Sequence, residues 1–208
     1  MKKFFSIIFR LFSFIYPYKL HQKLQSKKDI LYTLWIRNYI GHVGENSTIC
    51  KPCSLQGEGQ KNISIGNHTI IQSNSILGCW IKYGEQEFSN ASITIGNECS
   101  IGEYNHITAC NKITIGDGLL TGRYVIISDN SHGGLIMEDS IIKPVKRSLK
   151  SKGEVVIGNN VWLGDKVAVL AGVHIGNNVI VAANAVVTKD IPDNCIVAGV
   201  PGKVIAQL

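Results

Sequence analysis

The sequence predicts an all-β chain, a three-sided parallel β-helix of six-residue repeats behind a helical N-terminal segment. Three observations carry that expectation: an apolar residue at every sixth position, glycines scattered along the chain, and an apolar N-terminal run with a helical period. From residue 157 the chain reads IGNNVW LGDKVA VLAGVH IGNNVI VAANAV, so Ile157, Leu163, Val169, Ile175, Val181 and Val187 recur at six without a slip. Four places further on in each hexad stand Val161, Val167, Val173, Val179 and Ala185. The register extends upstream through Ile65, Ile71 and Leu77, then Ile95, Ile101 and Ile107, then Ile115, Thr121 and Ile127.

A period of six fits neither the 3.6 of an α-helix nor the 2.0 of a flat strand. It fits a coil of three short strands with a corner after each, where Gly, Asn and Asp accept tight turns. Coils stacked about 4.8 Å apart would bury a continuous column of Ile and Val. An amphipathic helix would not tolerate this density of Gly and Asn. Leucine-rich repeats and right-handed β-helices need longer periods.

The bulk properties agree with one ordered domain: 208 residues, 45% apolar, 17% charged, with 21 glycines. The net charge of +6 is uneven. Lys2, Lys3, Arg10, Lys19, Lys23, Lys27, Lys28 and Arg37 form one basic group, and Lys143, Lys146, Arg147, Lys150 and Lys152 another. Such groups meet nucleic acid, anionic lipid or a phosphorylated cofactor, or merely face solvent. No helix-turn-helix, RNA-binding or zinc-finger pattern accompanies them, which argues against nucleic acid. Of the six cysteines, Cys50 and Cys53 have thioredoxin-like spacing without a βαβ context or a second pair for zinc, so incidental thiols and no metal are expected.

Phe4 to Tyr16 is strongly apolar behind Lys2 and Lys3, but Arg10 interrupts the run and no small-x-small cleavage site follows. The run is too short to span a bilayer. Lys3, Ser6, Arg10 and Ser13 trace a narrow polar stripe on a helix that Pro17 would end. Such a helix either lies peripherally in a membrane interface or packs on the body or a neighbouring subunit. Packing is favoured, because the polar face is not strongly cationic.

The register breaks once conspicuously. Ile127 and Ile157 lie 30 positions apart where a coil takes 18, an excess of twelve that predicts a loop thrown out over residues 128–154. It carries Ser131-His132-Gly133-Gly134 near its start and the second basic group near its end. Loops projecting from rigid solenoids commonly carry function. Residues 78–94, with Trp80, Tyr83 and Phe88, are a less regular coil with room for a smaller excursion.

The segment from Ile113 onward, ITIGDG…SDNSH…VVIGNNVWLGDKVAVLAGVHIGNNVIVAANAVVTKDIPDNCIVAGVPGKVI, resembles hexapeptide-repeat acetyltransferases. The nearest styles are galactoside/maltose acetyltransferases and the O-acetyltransferases of capsule and lipopolysaccharide synthesis. The resemblance implies a left-handed coil, where general connection rules would favour the opposite hand. It also implies acetyl-CoA as co-substrate, a cyclic homotrimer with sites between subunits, and one histidine as general base. Family spacing places that base fifteen residues after the Asp of an IGD corner. Counting from Asp117 gives His132. Imidazole titrates near neutrality and suits removal of a hydroxyl proton during attack on a thioester. The Gly164 N–H is implied as an oxyanion donor. Trp162, Gly164, Ala182 and Lys189 are implied to line the CoA groove, with Lys203 nearby.

Asp129, three residues before His132, is read either as orienting its imidazole or as turn chemistry. Family alignment puts Tyr104 where an acceptor-placing Asn is usual, with Asn105 in an inward slot and His106 as the competing base. The resulting expectation is a helical segment at 1–45, the β-helix at 46–198 and a tail at 199–208. The expected activity is acetyl transfer to a carbohydrate hydroxyl in surface-polysaccharide synthesis, at the cytoplasmic face of the membrane. Alternatives are a virginiamycin-type xenobiotic or serine-acetyltransferase-like enzyme, or a non-catalytic scaffold. Serine acetyltransferases fit poorly, for want of a DRHPK-type stretch and a large helical domain. Carbonic-anhydrase-like relatives need three zinc histidines, for which no convincing set is present.

Overall fold

The structure, a computed structural model, describes residues 1–134 and 137–207. Short strands alternate among three sheets of six, eight and six strands, parallel except for the last strand of the second. Each coil takes one strand from each sheet: Lys112–Ile115, Leu120–Thr121 and Ile126–Ser128 form one such coil. Parallel pairing stacks Ile63, Ile93, Ile113 and Val155 on the first face, and Leu77, Ile107, Ile127, Val169 and Val187 on the third. Every apolar residue on the six-residue register is buried, as are the second-slot residues Val161, Val167, Val173, Val179 and Ala185. The core is therefore a column, with no side chain reaching in from elsewhere along most of its length.

The Gly-Asn and Gly-Asp pairs explain themselves at one corner. Asn67 Oδ1 accepts from Glu45 N, Asn97 Oδ1 from Asn67 N, and Asp117 Oδ1 from Asn97 N. The ladder continues through Asn159, Asn177 and Asp193, each accepting from the backbone of the coil before it. Each side chain thus satisfies an N–H that the turn would leave open. The preceding glycine is required by space: a Cβ on Gly96 would lie 2.5 Å from Asp117 Oδ1.

The N-terminal segment forms helices α1 (Lys2–Ile15) and α2 (Tyr18–Ile36). Helix α2 caps the open end of the prism through Asp29, Thr33 and Ile36. Asp29 Oδ1 accepts from Lys51 N, Ile49 N donates to Thr33 Oγ1, and Tyr32 donates to Cys53 O. Helix α1 buries no residue at all, so the expected packing of residues 1–16 on the body is not found in the chain. The apolar residues of the six-residue register point inward, and every residue of α1 stays exposed. No helix among the described residues is long and apolar enough to cross a membrane.

Two boundaries move. The prism starts at His42–Val43, which pairs with Ser64–Ile65, four residues before the expected start at 46. The expected tail is a strand: Lys203–Gln207 folds back antiparallel on Cys195–Ala198 and covers the last edge of the second sheet. The expected loop becomes an arm, with Ser131–His132 paired antiparallel to Leu149–Lys150 and a short helix, α3 (Met137–Ser140), near its tip. Its residues 135 and 136 lie outside the described residues, as does residue 208 of the tail.

Candidate active site

His132 sits in the first strand of the arm, directly opposite Leu149. The arm's base is fixed by Asp129, which is wholly buried. Its Oδ1 accepts from Cys110 N at 2.8 Å and its Oδ2 from Asn111 N at 2.9 Å, while Asn130 Nδ2 donates to Oδ1 at 3.0 Å. Those bonds tie the arm to the corner of the preceding coil. The orienting role considered for Asp129 is thereby corrected: its carboxylate is engaged with the backbone of the fold and not with the imidazole.

Further out, Asp139 holds the arm closed on itself. Its Oδ2 accepts from Gly134 N at 2.5 Å and from Lys150 Nζ at 3.0 Å. The Gly134 N–H, then the Lys150 ammonium, keep the Asp139 carboxyl below its ordinary value.

A second excursion meets the arm. Lys82–Tyr83 and Gln86–Glu87 form a hairpin around Gly84, whose φ of +60° suits its tight turn. Gln86 Nε2 donates to Leu149 O at 3.0 Å, on the strand partner of His132 itself. The Tyr83 ring stands edge-on to the His132 imidazole at 5.3 Å, and Trp80 edge-on to Tyr83 at 5.8 Å. The Trp80 indole N–H donates to Thr108 Oγ1 at 3.2 Å. His132 opens onto a cleft of about 320 Å³ whose walls include Trp80, Tyr83, His106, Thr108 and Ser128. Aromatic faces beside hydroxyls form a surface suited to a polar ring with apolar CH faces.

His106 is the neighbouring imidazole in this cleft. Burial lowers its pKa from the ordinary 6.5, so it stays neutral at physiological pH. Asn105 is buried: it donates to Thr121 Oγ1 and accepts from Val125 N at 2.7 Å. These bonds make it a core ladder residue and remove it from the acceptor site. Tyr104 is exposed at a corner with φ +60° and stacks on Tyr124, centroids 4.9 Å apart, on the coil above. Sequence reasoning noticed Trp80 and Tyr83 only as a break in the repeat; Thr108 and Ser128 gave no signal, because outward hydroxyls are ordinary on a solenoid face.

The residues nominated for CoA lie on separate parts of the chain. Trp162 is exposed on the second face, and Lys203 stands on the terminal strand at that face's edge. Gly164 and Ala182 follow strands of the second face on stacked coils, at its corner with the third, whereas Lys189 follows the last strand of the third. A Cβ on Gly164 would lie 2.6 Å from Ala183 N, so this corner presents bare backbone. The Gly164 N–H donates to Val181 O at 2.8 Å, which corrects its expected role as an oxyanion donor. Cys50 and Cys53 are free thiols, pushed up to about 11 and about 12 chiefly by burial, which keeps both protonated and unreactive. No metal-binding cluster exists among the described residues.

The family described as bacterial transferase hexapeptide (six repeats) matches residues 154–189. A putative lipopolysaccharide biosynthesis O-acetyl transferase, WbbJ of Escherichia coli K12, is 35% identical over 160 residues, spanning 75% of this chain and 76% of that protein. The galactoside O-acetyltransferase of the same organism is 35% identical over 136 residues, covering 63% of this chain and 56% of its own length. A hexapeptide-repeat acetyltransferase from Vibrio cholerae O1 biovar eltor, solved with acetyl coenzyme A, superposes with a TM-score of 0.55 at 26% identity over 83% of this chain and 73% of that one. A mutant of AntD, an N-acyltransferase from Bacillus cereus solved with dTDP and coenzyme A, gives a TM-score of 0.65 at 25% identity over 82% and 86%. The six-residue register, the arm that presents His132 and these likenesses agree: the chain belongs to the hexapeptide-repeat acetyltransferases, enzymes of the left-handed parallel β-helix fold.

Proposed function

We propose that this protein transfers an acetyl group from acetyl-CoA to a carbohydrate hydroxyl, in the synthesis of a surface polysaccharide. The observation that carries the reading is the placement of His132 at a cleft lined by Trp80, Tyr83, Thr108 and Ser128. His132 takes the proton as the sugar oxygen attacks the thioester carbonyl. A C–O bond forms, the tetrahedral intermediate expels the CoA thiolate, and the imidazolium returns the proton to that sulfur. No acyl-enzyme is required.

The scatter of Trp162, Gly164, Ala182, Lys189 and Lys203 over one chain supports a cyclic homotrimer, in which neighbouring prisms complete the CoA groove. The bare backbone at Gly164 and the small side chain of Ala182 suit a thin pantetheine arm, and Lys189 and Lys203 suit phosphates as point charges. Thiol release from acetyl-CoA, screened over glycosides, amino sugars and streptogramin-type antibiotics, tests the acceptor class. The His132→Ala enzyme should lose about 10²–10⁴-fold in kcat on the preferred glycoside. Full turnover by that variant would remove His132 as the base, and turnover of an antibiotic alone would replace the carbohydrate.

A further inference from the structure

Helix α2 has two faces, and the repeat of the fold accounts for only one. At about 100° per residue, Asp29, Thr33 and Ile36 point into the prism. The opposite side carries Leu20, Leu24, Leu31, Leu34 and Trp35 within a sector of about 100°. All five are exposed; Leu31 keeps 66% of its surface and Trp35 55%. Lys19, Lys23, Lys27 and Lys28 interleave with or flank this stripe. Trp35 lies against Tyr32 and Tyr39, at centroid distances of 5.5 and 5.2 Å.

Helix α1 repeats the design on a wider arc. Lys2, Lys3, Ser6, Arg10 and Ser13 occupy about 100° of its circumference, and apolar side chains fill the rest, with Phe9 exposed at 67%. Eight basic residues occupy the first 40 positions, and the single acid among them, Asp29, is buried on the inner face of α2 and accepts from Lys51 N. Association of these helices with a second copy would bring seven like charges against seven. An anionic bilayer neutralises them while taking up the apolar stripes, and aromatic residues beside lysines suit its headgroup region.

We propose that the two helices together, residues 2–36, form one docking surface for an anionic lipid bilayer, with the outer stripe of α2 as well as α1 seated in the interface. The prism then hangs from the membrane by the face of α2 that packs on it, and the contact extends well beyond residues 1–16. The lysines supply attraction and the Leu, Phe and Trp side chains supply depth.

The test is co-sedimentation of the full-length protein with vesicles of phosphatidylcholine alone or mixed with phosphatidylglycerol. Size-exclusion light scattering and a thermal melt are run on every variant. Wild type is expected to pellet with the mixed vesicles and to stay in solution with the neutral ones. The triple variant Lys19→Gln, Lys23→Gln, Lys27→Gln should partition about 100-fold more weakly. Leu31→Glu with Trp35→Glu should abolish pelleting with the melt and oligomeric state unchanged, since both side chains keep more than half of their surface exposed. Failure to pellet with either vesicle overturns the proposal, and so does pelleting that survives the Leu31, Trp35 pair. A loss of oligomeric state in that double variant overturns it too, by assigning the stripe to another copy of the chain.

Discussion

The Tyr83 ring stands edge-on to the His132 imidazole at 5.3 Å, and the two residues come from different excursions of the β-helix. One belongs to a hairpin inserted at residues 82–87, the other to the arm that leaves the prism after Ser128. Neither excursion has a column of its own to pack into, so each is the other's support. With His132 as the proposed base, this contact assigns Tyr83 the part of a positioning residue. Tyr83→Ala is expected to lower kcat about 10-fold by letting the imidazole swing away from the acceptor, and Tyr83→Phe should restore most of it, because the ring and not the hydroxyl makes the contact. Steady-state kinetics on the three enzymes check this; an equal loss in both variants would assign the effect to the hydroxyl.

Asp129 is expected to matter for stability first. Asp129→Ala strips the acceptor from two backbone N–H groups at the Cys110–Asn111 corner, at a cost of about 3 kcal/mol. Denaturant unfolding measures the cost. Activity of the surviving folded enzyme should fall as well, since the arm's root is released.

Asn105 gives the opposite pattern. Asn105→Ala leaves Val125 N without its acceptor in the core and should cost about 2 kcal/mol. KM for the acceptor should stay unchanged below the melting transition. A raised KM at full stability would return Asn105 to the acceptor site.

Gly96 tests the ladder that sets the corners. Gly96→Ala places a Cβ 2.5 Å from Asp117 Oδ1 and should destabilise the protein by about 1–3 kcal/mol. A melting temperature equal to that of wild type would show that the coils slide apart freely.

The pH dependence follows from two lowered pKa values. Asp139 titrates below its ordinary 3.8, so the arm's stabilisation by its carboxylate is complete above that value. It is lost as pH falls through the lower folded value. His106 titrates below 6.5 because burial disfavours its cation; its contribution is complete above pH 6.5 and is lost as pH falls through its folded value. The melting temperature of wild type relative to His106→Gln should therefore be flat above pH 6.5 and decline on the acid side. The difference from Asp139→Asn should persist to lower pH before it vanishes. Thermal melts across the range measure both.

The prism was legible in the residues alone, because a six-residue return of Ile and Val has one cheap burial geometry and every coil repeats the evidence. The excess between Ile127 and Ile157 likewise announced an arm, and the arm carries the His132 that family spacing nominated. Three things required the tertiary structure. Asp129, adjacent to the histidine in sequence, turns inward to the Cys110–Asn111 corner, because a carboxylate at an arm's root finds unpaired backbone donors closer than any imidazole. Tyr83 reaches His132 across a separation of 49 residues, a contact that no local pattern encodes. The outer stripe of α2 became visible only once its inner face was seen to be occupied by the prism. Periodicity fixes what repeats; what interrupts the repeat is placed by whichever neighbours can satisfy its polar groups and cover its apolar ones.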